Sequence, residues 1–152
     1  MSGLLQIRTL YEYSAWANAR ILDAATSLTL DQLDAAGDGA YGSVRETLVH
    51  TMSAQRGWLA RWRSTQPTVP PTRRLDPAEL PDVAEIRARW DEIERETRAY
   101  VAGLSEEALD RVVRYVSSSG ETWAYPLWQQ LIPTGSLLPL SRISSRGVNA
   151  KA

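Results

Sequence analysis

Apolar residues recur at alternating steps of three and four along most of this chain, the period of helices that bury one face. Leu4, Ile7, Tyr11, Asn18, Leu22 and Ala25 share a face of a first predicted helix, from Leu4 to about Ala25, with polar insertions in its stripe. Thr29 and Gln32 have the spacing of a capping box, so a short helical turn is expected around Leu30 to Ala35. Gly37 to Gly42 reads as a loop. A second helix should begin at Ser43, because Ser43-Val-Arg-Glu46 lets a hydroxyl and a carboxylate satisfy free backbone donors reciprocally. Val44, Leu48, Met52, Leu59 and Trp62 carry its stripe to about Arg63.

From Ser64 to Leu80 the period lapses, and prolines at 67, 70, 71 and 77 mark a connection long enough to cross the end of a bundle. The third helix has the cleanest period, with Val83, Ile86, Trp90, Ile93, Thr97, Tyr100 and Leu104 on one stripe and Asp82 as its N-cap. Glu85/Arg89, Asp91/Arg95 and Glu94/Arg98 are acid-before-base pairs at i,i+4, which reads as a solvated face. Arg111 to Val116 and Glu121 to Tyr125 flank a Ser/Gly turn and predict a small β-hairpin. A fourth helix starts near Pro126, with Leu127, Trp128, Leu131 and Ile132 as its apolar face. Pro133 removes a hydrogen bond inside that helix, and Gly135 and Pro139 follow, so regular helix is expected to fail there. The fold class expected is all-α: a four-helix bundle with a long crossover between helices two and three, a hairpin before helix four and a disrupted C-terminal helix. Residues 1–152 form a single domain in this reading, irregular from about 133. The stripe of helix three (Val83, Ile86, Trp90, Ile93) and that of helix two would then lack part of their cover, and a homodimer is the expected remedy.

Composition narrows the function. A net charge of −1 provides no field for nucleic acid or an anionic membrane, and neither partner is expected. The absence of cysteine removes disulfides, thiol nucleophiles and thiolate ligands. No apolar run is long enough for a leader or a span, so a cytoplasmic location is the expectation. Six Trp and six Tyr against no Phe suit a core whose large rings keep a polar handle.

His50 is the single histidine. Several segments around it resemble the DinB/YfiT-like superfamily of metalloenzymes: Tyr13 to Leu22, Gly42 to His50, Pro81 to Trp90 and Tyr125 to Ile132, in that order and spacing. The resemblance covers roughly residues 4 to 132. It implies a four-helix bundle, frequent homodimers and a divalent-metal site, zinc or nickel, held by one histidine of the second helix and an H-x-x-x-H pair of the fourth. Such a cap leaves an open position at which water or a thiol is acidified. It also implies thiol-dependent transferases, isomerases or hydrolase-like enzymes that use a low-molecular-weight thiol. His50 matches the second-helix ligand. Nothing matches the pair, because Pro133 to Arg142 carries no histidine; Gly135-Ser136 with Arg142-Ile143 has the look of a scrambled G-S-x-H-R stretch, as a disturbed reading frame would leave.

The function expected is therefore that of a DinB-like metal-binding protein impaired by loss of two ligands, with His50 as its metal residue and no catalytic residue assigned. The alternative is a non-catalytic bundle that binds a small apolar ligand or serves as a dimeric module. Glu46 lies one turn before His50 and could chelate with it, although its cap competes. Trp58, Trp62 and Trp128 could line a pocket, but aromatic residues at helical spacing are usually core. Arg61 and Arg63 are too few for a nucleic-acid patch, and Asp31, Asp34 and Asp38 lack the order of a calcium loop.

Overall fold

The computed structural model describes residues 3–37, 42–64, 73–117 and 119–135. Helix starts follow the side-chain chemistry of their first turns. After α1 (Gly3–Ala25), Thr29 and Gln32 close a capping box on α2 (Leu30–Asp34). Ser43 and Glu46 close another on α3 (Val44–Arg63), where the Ser43 amide donates to Glu46 Oε2 at 2.8 Å. Glu46 thereby folds over Gly42, which has φ of 82° and no Cβ to obstruct the carboxylate. A 3-10 turn (Pro77–Glu79) precedes α4 (Val83–Ala102), whose Asp82 cap accepts the Glu85 amide at 2.9 Å. The short α5 (Glu106–Leu109) leads to an antiparallel hairpin of β1 (Val112–Val116) and β2 (Thr122–Pro126), registered from Val112↔Pro126 to Val116↔Thr122. β2 passes without a linker into α6 (Leu127–Gly135).

α4 packs on both α1 and α3, and α6 packs on the same two helices, which closes the four-helix bundle. Its interior divides in two. Leu22, Leu33, Leu48, Met52, Ile86 and Ile93 belong to one apolar cluster; Ile7, Tyr11, Leu59, Trp62, Leu127 and Leu131 belong to the other. Between these groups along α1, α3 and α4 lie Asn18, Gln55, Glu94 and Thr97, which form a polar layer.

Several expectations change. The stripe of α4 does not lack cover: Val83, Ile86, Trp90 and Ile93 are buried, because α1, Leu33 of α2 and Leu80 enclose them. α6 stays helical through Pro133 to Gly135. Side-chain donors reach nearby carbonyls, Thr134 Oγ1 to Gln130 at 2.7 Å and the Tyr11 hydroxyl to Leu131 at 3.1 Å. The residues beyond 135, with Leu137, Leu138 and Leu140, lie outside the described residues, as do 65–72 of the crossover. Val44 is exposed, whereas its neighbour Arg45 is buried, since Asp34 takes its guanidinium at 2.6 and 2.9 Å and the Leu80 carbonyl at 2.6 Å. The charge run on α4 also pairs differently. Arg98 grips Glu12 of α1, Arg87 reaches Asp23, Arg89 turns to Glu92, and Glu94 points into the polar layer.

Candidate functional site

His50 sits about a third of the way along α3, partly buried. Burial, and secondarily the charge of Arg74, hold its imidazole below the ordinary histidine range, so the neutral, ligand-competent form dominates at neutral pH. Glu46 is the nearest carboxylate along the helix, but Oε2 is engaged by the Ser43 amide. Asp34 is likewise committed to Arg45, which holds its carboxyl below the usual range through a direct hydrogen bond; Asp31 is exposed and Asp38 lies outside the described residues. Among the described residues no group of three His, Cys, Asp or Glu could hold a metal ion. The donor set therefore does not fit the three-nitrogen centre that the resemblance implies. The sequence has no second histidine and no cysteine to complete one.

The aromatic candidates separate. Trp62 is core, packed against Tyr11, Trp58 and Tyr100. Trp58 is half-buried beside Tyr115 of β1, with ring centroids 5.0 Å apart. Trp128 is exposed and, with Ile132, walls a groove of about 580 Å³ between α1, α5 and α6. A second cleft, of about 310 Å³, runs between α1, α3 and α4 over Ile21, Val44, Leu48 and Trp90; a third, of about 520 Å³, is edged by Asp34, Arg45 and Glu46. His50 lines none of these three.

The polar layer escaped the sequence reading. Gln55 donates to Glu94 Oε2 at 3.0 Å and accepts from the Trp90 indole at 2.9 Å, and Asn18 reaches Glu94 at 3.5 Å. Burial pushes the Glu94 carboxyl up, outweighing its bonds to Gln55 and Asn18 and the attraction of Arg98. Glu94 Oε1 and Asn18 Oδ1 are buried acceptors that meet no donor among the described residues. A neutral Glu94 would itself supply a donor to this layer. The one available signal was Asn18, a polar residue in the middle of the α1 stripe.

No helix among the described residues is long and apolar enough to cross a membrane. Comparison with curated proteins finds no match. The DinB superfamily family model matches residues 14–131, a span that includes α3 with His50, the polar layer of α1, α3 and α4, the hairpin and the first turn of α6. By the extent of that match, the chain belongs to the DinB superfamily.

Proposed function

We propose that this chain is a DinB-superfamily bundle descended from a divalent-metal enzyme, a thiol transferase or hydrolase-like catalyst, whose metal centre has been reduced to His50. One observation carries the reading: His50 lies on α3 in a neutral-favouring setting, and the sequence offers no second histidine or cysteine to join it. A single imidazole holds a divalent ion weakly, so no catalytic step is assigned to a metal here. Metal analysis after dialysis against a chelator tests this. Far less than one equivalent of zinc or nickel is expected, and stoichiometric retained metal overturns it. A repaired variant whose fourth helix continues past residue 132 with histidines at i and i+4 should gain metal, and ligand binding should raise its thermal stability. If His50→Ala leaves that gain intact, His50 is not a ligand.

A second reading, a bundle that binds a small apolar ligand, is favoured by the cleft over Ile21, Leu48 and Trp90. A homodimer through the groove edged by Trp128 and Ile132 belongs to the same proposal. Light scattering at low micromolar concentration should show a dimer; a monodisperse monomer rejects it.

A further inference from the structure

Arg61 occupies the last turn of α3, and its guanidinium carbon lies over two rings, 4.7 Å from the centroid of Trp58 and 4.9 Å from that of Tyr115. A cation at the end of a helix suits the macrodipole. The neighbouring charges show what else such a cation usually finds. Arg63 pairs with Glu96 at 2.6 Å, and Arg111 donates to the Trp62 carbonyl at 2.8 Å and to the Tyr100 hydroxyl at 3.1 Å. The Arg61 guanidinium has neither kind of partner among the described residues. Its Nε is buried without an acceptor, and burial lowers its affinity for its proton, although an arginine stays charged. A buried N–H without an acceptor is a standing cost. The guanidinium carbon lies over both rings, and no acceptor among the described residues meets its Nε–H.

We propose that Arg61, Trp58 and Tyr115 form a recognition site for a planar oxyanion, the carboxylate of a small organic molecule, held edge-on by the guanidinium. A carboxylate matches the fork of the guanidinium with two parallel hydrogen bonds, and an aromatic or unsaturated body attached to it finds the neighbouring rings. Arg61 follows His50 by three helical turns on nearly the same face of α3, about 16 Å along the axis. The anion site stands whether or not a metal is held at His50, because neither ring nor guanidinium depends on it.

The test uses the full chain and benzoate as the probe, with inorganic phosphate as a second anion. The Arg61 Nε–H resonance, assigned by its disappearance in Arg61→Lys, is followed through each titration. A saturable shift with benzoate is expected, with affinity roughly 10- to 100-fold weaker in Arg61→Lys as read from the Trp58 indole signal. Tyr115→Leu should weaken binding while leaving the fold intact by circular dichroism, and His50→Ala should leave it unchanged. Stronger binding of phosphate than benzoate would overturn the carboxylate assignment. A linear response, or equal affinity in Arg61→Lys, would overturn the site itself.

Discussion

At one end of the bundle the buried chains are mainly aliphatic, Leu22, Leu33, Leu48, Val49, Met52, Ile86 and Ile93 around the ring of Trp90. At the other, Tyr11 and Trp62 sit among Leu4, Ile7, Leu127 and Leu131, with Trp58 and Tyr100 packed against them. The aliphatic end is walled chiefly by the long helices α1, α3 and α4, whose starts at α3 and α4 are fixed by caps. The aromatic end must also hold short elements, α5, the hairpin and α6, that have little interior of their own. Rings suit that task because they bury area and still offer a polar tip. Tyr11 donates to the Leu131 carbonyl of α6, and Tyr100 donates to the Trp62 carbonyl at the end of α3. Aliphatic packing thus serves where helices set the geometry, and the aromatic end adds polar tips that tie α1 to α6 and α4 to α3.

The largest expected effect comes from removing the central ring. Trp62→Ala should cost about 3–5 kcal/mol. In hydrogen exchange it should strip protection from β1, β2 and α6 before the first turns of α3. Ile86→Ala should cost about 2–5 kcal/mol and reverse that order, exposing α2 and the start of α4 first. Equal loss of protection everywhere in both variants would mean that the polar layer is no boundary.

A smaller effect is expected at the boundary. A carboxyl whose folded value is raised stabilises most fully below its unfolded value, near 4.3, and that contribution is lost as pH rises through the raised value. Glu94→Gln should therefore flatten the dependence and stabilise the protein at neutral pH. Unchanged pH dependence of unfolding in this variant would show that Glu94 is not the titrating group. The smallest effect concerns His50, whose folded value is depressed. Its contribution is complete above the ordinary value of about 6.5 and declines as pH falls below it, so His50→Gln should lose that slope. Chemical denaturation at pH 5 and pH 8 measures both.

The long helices were legible because their stripes need only local spacing and caps. Leu4 to Ala25 on α1, and Ser43 with Glu46 on α3, stand as the sequence implies. Glu94 was not legible: its spacing to Arg98 is that of a surface pair, and only Gln55 of α3 and Asn18 of α1 reveal which way it turns. Arg45 and Val44 were exchanged for a similar reason, since Asp34 and Leu80, distant along the chain, decide which of the two is buried. Arg61 is the clearest case. Beside Trp62 it reads as one cation among several, and its relation to Tyr115 exists only after the hairpin has docked.

The junction of β2 with α6 has a mechanical consequence. The Leu127 amide donates to the Arg111 carbonyl at 2.9 Å, and Gln130 of α6 donates to the carbonyls of Val113 on β1 and Tyr125 on β2, at 3.0 and 3.2 Å. Helix and ribbon are thus joined at their root by three hydrogen bonds, a geometry in which a tilt of one would carry the other. Each strand spans about 17 Å, so turning α6 by some 10° sweeps the hairpin tip through about 3 Å. Tyr115 lies near that tip, where it meets Arg61 and Trp58 of α3.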